Sequence, residues 1–255
     1  MKKRNLRQNS SGQVIIITAL LVALLSLSTA MYVINTEKEV PSGNIGENNV
    51  FQAYKQSASN TLISALANIT NGGNSSVLNA DLNRLTGAIV NDSYNAIVQI
   101  NYVPLNSAGY QNGIWISWGA DGQGISSACA NFVFDSHDPS TFSNFEYDAN
   151  VTTEVNVSGY SQLNSSLMQV NLTVNLLNEG EPALAKNFVL YFEGGTGSWV
   201  NVDSPALTDF RNGTYLASFT TETAQSSDPL LVSLLCQDMR GIVVGANVTC
   251  ATAGP

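Results

Sequence analysis

One histidine occurs in the 255 residues, His137, in the run Asp135-Ser136-His137-Asp138. An imidazole flanked by carboxylates could ligate a divalent cation or act as a base. In a stretch rich in Pro and Ser, such residues more often cap turns, and that reading is preferred. No GxSxG run supports a nucleophile, and a triad would have only this imidazole to draw on. Asp121-Gly122-Gln123-Gly124 lacks the alternating oxygens and closing Glu of a calcium loop, so it reads as a hairpin turn. Gly194-Gly195-Thr196-Gly197 lies between predicted strands rather than before a helix, where a phosphate cradle would need to be. Glu179 and Glu181 fall in a turn and are expected to be solvated. Cys129, Cys236 and Cys250 match no CxxC or Cys/His metal spacing. In an oxidising compartment three thiols allow one disulfide of open connectivity and one free cysteine. The expectation is a non-enzymatic chain with no catalytic, metal-binding or cofactor-binding residues.

The elements that would position any site begin with charge. Ten Lys and Arg stand against nineteen Asp and Glu, a net −9, which argues against a nucleic-acid partner. Charged residues make up only 11 %, and the 44 % apolar content is enough to build a core. Four of the ten bases, Lys2, Lys3, Arg4 and Arg7, precede an uncharged run from Val14 to Ile34, VIIITALLVALLSLSTAMYVI. A helix of that length spans roughly 30 Å, so a lipid bilayer is its expected partner. The one-sided bases predict a single pass with the N-terminus cytoplasmic and the C-terminal domains extracellular. Signal cleavage near Ser28-Thr29-Ala30 is the competing reading, but the apolar run continues past it through Tyr32, Val33 and Ile34.

The basic leader ending at Gly12, followed by QVIIITALLVALL from Gln13, resembles the class III signal of archaeal type IV pilin-like proteins. The resemblance covers about 35 residues. It implies processing between Gly12 and Gln13, and self-assembly of the apolar segment in a filament core. Ser11 stands where that pattern usually has a base, and Ile17 where bacterial pilins place a Glu.

Beyond the apolar run, Asn-x-Ser/Thr acceptors occur at Asn68, Asn74, Asn91, Asn150, Asn156, Asn164, Asn171, Asn212 and Asn247. This is about twice what composition gives by chance, and it makes these nine candidate N-glycosylation sites.

Coarse patterning predicts the rest. Residues 36–49, with Pro41, Gly43 and Gly46, read as a stalk. Phe51, Tyr54, Ala58, Leu62 and Ala65 recur at helical spacing, as do Leu78, Leu82, Leu85 and Ile89. IVQINYV, GIWISWG and SSACANFVFD read as strands, with Trp115, Trp118, Phe132 and Phe134 expected in a core rather than on a binding platform. A polar loop over 135–148 is expected next, then seven short strands suggesting an immunoglobulin-like β-sandwich. The segment VNLTVNLLNEGEPALAKNFVLYFEG looks like a strand-turn-strand of archaeal surface modules in that class. The expected organisation is leader 1–12, transmembrane helix 13–35, stalk 36–49, α+β pilin-like unit 50–138 and sandwich 147–252. Two functions fit: a pilin-like filament subunit, or a tethered adhesion module whose sandwich recognises an unknown protein or glycan.

Overall fold

A computed structural model of the chain describes residues 45–92, 97–138, 141–164, 167–195, 197–222 and 229–252. The chain divides into two compact units, Met1–Ala53 and Tyr54–Pro255, and the second holds every strand of the described residues. Among the described residues two helices come first, α1 (Ile45–Thr70) and α2 (Val77–Asp92). Their spacing had placed the buried stripe correctly: Ala58, Leu62, Ala65, Leu78 and Leu82 are fully enclosed. Between them Asn74 caps α2, its Oδ1 accepting from the Ser76 N–H at 2.9 Å.

Twelve strands follow: β1 (Ile97–Pro104), β2 (Ile114–Trp118), β3 (Gln123–Asp138), β4 (Thr141–Asn164), β5 (Leu167–Asn178) and β6 (Glu181–Pro182), then β7 (Ala185–Gly195), β8 (Ser198–Asn201), β9 (Ala206–Asp209), β10 (Thr214–Thr221), β11 (Leu230–Asp238) and β12 (Val243–Thr252). Hydrogen bonding links them into one sheet of order β8-β7-β11-β12-β4-β5-β10-β9, with β3 pairing β1, β2 and β4, and β6 pairing β5. All pairings are antiparallel except β12 with β4, which meet in parallel at only Ala251↔Tyr160 and Thr252↔Ser161. So narrow a join lets β7, β11 and β12 pack face to face with β4, β5 and β10. Val155, Val170, Leu172, Val174 and Tyr215 from one side enclose a common core with Leu190, Val232, Leu234 and Val244 from the other. The other half of the β3–β4 ribbon buries Phe132 and Phe134, and Tyr54 of α1 stacks on Phe134 at 5.8 Å.

The expected fold class, a transmembrane helix, a small α+β unit and then an immunoglobulin-like sandwich, is overturned. The chain is mostly strand, in one large mixed sheet. The physical reason is the β3–β4 hairpin, which pairs without a break from Gln123↔Asn156 to Asp138↔Thr141. Asp135 to Asp148 was expected as a loop because it is rich in Asp, Pro and Ser. Ladder hydrogen bonding outweighs that weak local preference and carries the sheet across the expected boundary. Residues 45–49, read as stalk, are helical.

The single-pass localisation, with N-terminus cytoplasmic and later domains extracellular, is likewise corrected. Among the described residues no helix is long and apolar enough to cross a membrane. The 26-residue α1 has the length but is interrupted by Glu47, Lys55 and several Asn, Gln and Ser. The run from Val14 to Ile34, and with it the bilayer and self-assembly expected there, lies outside the described residues.

Candidate functional site

Strict strand alternation gives the sheet a second face. Along β5 and β10 the residues between the core positions point away from the core: Leu167, Gln169, Asn171, Thr173, Asn175 and Leu177 on β5, and Thr214, Leu216, Ser218 and Thr220 on β10. Register aligns them with neighbours of similar character. Trp115 and Ser117 on β2 oppose Ser127 and Ile125 on β3. Gln123 and Ile125 oppose Asn156 and Glu154 on β4. Asn156, Ser158 and Tyr160 then oppose Asn175, Thr173 and Asn171. From β2 to β9 this face crosses six strands, roughly 24 Å at the usual strand spacing. It carries amides, hydroxyls and carboxylates, with no Lys or Arg at the positions named.

Two adjoining clefts indent it. The first, about 680 Å³, is lined by Trp115, Ser117, Asp121, Gln123, Glu154 and Asn156. The second, about 410 Å³, is lined by Ser158, Tyr160, Asn171, Thr173, Leu216 and Ser218, among others. Since Glu154, Asn156, Ser158 and Tyr160 are successive outward positions of β4, the clefts run together over roughly 20 Å. Trp115 is held in place: the Tyr110 ring meets it edge-on at 5.6 Å, and Tyr110 donates to or accepts from Ser127 at 2.7 Å. Gly109, at φ +96°, lets the backbone lie on the indole, since a Cβ there would come within 3.0–3.2 Å of it. Among the described residues, the side chains of Ser117, Glu154, Asn156, Ser158 and Thr173 have no hydrogen-bond partner. By contrast, Asn175 and Thr214 satisfy each other at 3.0 Å.

The most heavily charged cluster serves a different end. Asp238, fully buried, accepts from the N–H groups of Arg240 and Ile242, from Arg240 Nε at 2.8 Å and from Thr153 Oγ1. Arg240 also donates to Glu179 at 2.7 Å and to the Thr152 carbonyl at 3.0 Å. Glu179 was expected to be solvated. It is exposed, and it also accepts from Arg240 and from the Thr152 N–H at 2.9 Å. Every charge in the cluster is occupied by its neighbours, so the cluster fastens the β11–β12 turn to β4 and offers nothing to a substrate.

The other sequence expectations separate by position. Gly12 and Gln13 lie outside the described residues. Of the candidate acceptors, Asn68, Asn74, Asn150, Asn156 and Asn212 are exposed, and Asn171 and Asn247 are half-buried. Asn91 is the penultimate residue of α2 and Asn164 ends β4, their side chains lying outside the described residues. Asn156 and Asn171 share the outer sheet face, whereas Asn150 Oδ1 is engaged by Ser127 and Thr152. His137 sits in β3 opposite Phe142, with its side chain outside the described residues. The four aromatics expected in the core divide: Phe132 and Phe134 enter it, while Trp115 faces a cleft and Trp118 stays 39 % exposed. Parity could have found the Trp115 half of this, because within IWISW the alternate residue Ser117 already marks the Trp115 side as polar, whereas Trp118 alternates with Ile114 and Ile116.

All three cysteines are free. Cys236 pairs with Val244 and Cys250 with Leu230, so they stand at opposite ends of the same hairpin and cannot bridge. Burial pushes the Cys236 thiol up to about 12 and the Cys250 thiol up to about 11, Asp238 adding to the first. Cys129 is raised more modestly, by burial and then by Asp148. Thiolate is the reactive form, so the native protein at pH 8 should alkylate at Cys129 alone, and slowly. In denaturant all three should label at once. Peptide mapping after timed iodoacetamide treatment checks this, and early label on Cys236 or Cys250 would contradict the packing.

The fold and this surface define a β-rich protein presenting a broad, polar, uncommitted sheet face. Comparison with protein-family models, curated proteins and solved structures finds no match for this chain.

Proposed function

We propose that this chain is a non-enzymatic recognition protein whose partner docks on the outer face of the β2–β3–β4–β5–β10 sheet. The observation that carries this reading is the run of unpartnered polar side chains, Ser117, Glu154, Asn156, Ser158 and Thr173, across two adjoining clefts. On the same side of β3 and β4, Ser127, Thr152 and Asn150 are spent on the fold, bonding to one another. Uncommitted donors and acceptors beside a held aromatic ring are the composition of a binding surface.

Thr173 tests the reading because it sits mid-face, in register between Ser158 and Leu216. Thr173→Arg places a long cation in the middle of the groove and should leave the fold intact, with a melting temperature within about 2 °C of the parent. Against a panel of immobilised proteins and glycans, the parent should retain at least one ligand that the variant loses by tenfold or more. Equal retention by both, for every member of the panel, would remove the face as the site of function.

A further inference from the structure

Resting on that recognition reading, we propose that the partner is an extended neutral polysaccharide chain lying along β4, from the Trp115 cleft to Tyr160. Three observations select this chemistry. Aromatic side chains stand at both ends: Trp115 is fixed by Tyr110, and Tyr160 is 50 % exposed. Such rings offer flat apolar surfaces to the C–H faces of pyranose units. Between them Glu154, Asn156 and Ser158 follow one another with no partner of their own. A sugar hydroxyl both donates and accepts; an amide or hydroxyl matches both functions, and a carboxylate accepts strongly.

Charge narrows the class further. Glu154 and Asp121 are the ionisable groups among the residues lining the first cleft, and no Lys or Arg is among the described residues that line it. An acidic polysaccharide or a nucleic acid would meet like charge there and no Arg or Lys to pair with its anions. A protein partner would need an apolar centre, and on this face the large exposed apolar groups, such as Leu216, are scattered. The site's length also matters. Some 20 Å of cleft engages several sugar units at once, so affinity should rise with chain length before levelling off.

The test uses the full-length chain, titrated with cellohexaose, chitohexaose and maltohexaose and with the matching disaccharides. Indole fluorescence and calorimetry provide the readouts. At least one hexasaccharide should bind, quench the tryptophan emission and bind more tightly than its disaccharide. Trp115→Ala and Tyr160→Ala should each weaken it about tenfold, while Trp199→Ala, on β8 away from this face, should not. A circular-dichroism spectrum like the parent's excludes misfolding of the variants. Three hexasaccharides without binding, or binding that neither aromatic replacement changes, would overturn the proposal. If an immobilised protein is then lost on Thr173→Arg, recognition by this face stands and only the saccharide assignment falls. If Thr173→Arg alters nothing, both fall.

Discussion

Asp238→Ala should lower the unfolding free energy by about 3–5 kcal/mol, the range for stripping one partner from a buried ion pair. The carboxylate is fully enclosed, and four donors converge on it: two backbone N–H groups, Arg240 Nε and the Thr153 hydroxyl. Alanine leaves all four without their acceptor. It also leaves the Arg240 guanidinium, whose side chain is only 20 % exposed, with Glu179 as its single remaining counter-charge. Asp238→Asn should cost less, because an amide oxygen can still accept from the two N–H groups of the turn. Glu179→Gln supplies the internal comparison. Its side chain is 44 % exposed, so solvent screens the pair and the loss should stay below about 1 kcal/mol. Urea denaturation of the three variants gives the ordering from midpoint shifts at constant slope. An Asp238→Ala cost no larger than that of Glu179→Gln would mean the cluster is ornamental.

This cluster also marks where reading the sequence stops. Of the two turns in the cluster, the one holding Glu179 was legible from its residues. That the two meet was not, since Arg240 and Glu179 lie 61 positions apart and nothing local couples them. The helices were legible because the stripe Ala58, Leu62, Ala65 repeats at one helical period, a local signal. Most strands were legible for the same reason, as alternation in segments such as QVNLTVNLL. The four-residue β9 was missed, being too short and too exposed to alternate visibly. What alternation cannot specify is which strand lies beside which. The outer face was therefore invisible as a site: it gathers Trp115, Glu154, Asn171 and Thr208 from strands spread over more than ninety residues. Each of them looks like an ordinary solvent-facing position in its own strand. The leader and apolar run, which carried the pilin-like resemblance, lie outside the described residues. The sheet neither strengthens nor weakens that resemblance.

Gly122→Ala should be heavily damaging for a single added methyl group, at about 3 kcal/mol or more, summing backbone strain with lost buried hydrogen bonds. Gly122 forms the tip of the β2–β3 hairpin at φ +80°, where an L side chain is strained. An added Cβ would fall on the carbonyl oxygen of Val157. The tip cannot retreat cheaply, because it is wedged between β4 and β12. Gly122 N–H donates to the Asn247 carbonyl at 2.8 Å, Val157 N–H donates to the Gly122 carbonyl at 2.6 Å, and Asn247 N–H donates to the Gly119 carbonyl at 2.8 Å. Strands β4 and β12 pair directly at only two positions, so this wedge supplies much of the bonding between the two halves of the sheet. Gly180→Ala separates strain from wedge: its φ is +83°, but nothing lies within 4 Å of the new methyl group. That change should cost only about 1 kcal/mol, the left-handed penalty by itself. The excess for Gly122→Ala, read from paired denaturation midpoints, measures the wedge. Asp121 and Gln123 flank the tip and line the first cleft, so the same variant should also weaken any ligand held at Trp115. Equal costs for the two alanines would mean that the halves are held by their shared core and not by the hairpin tip.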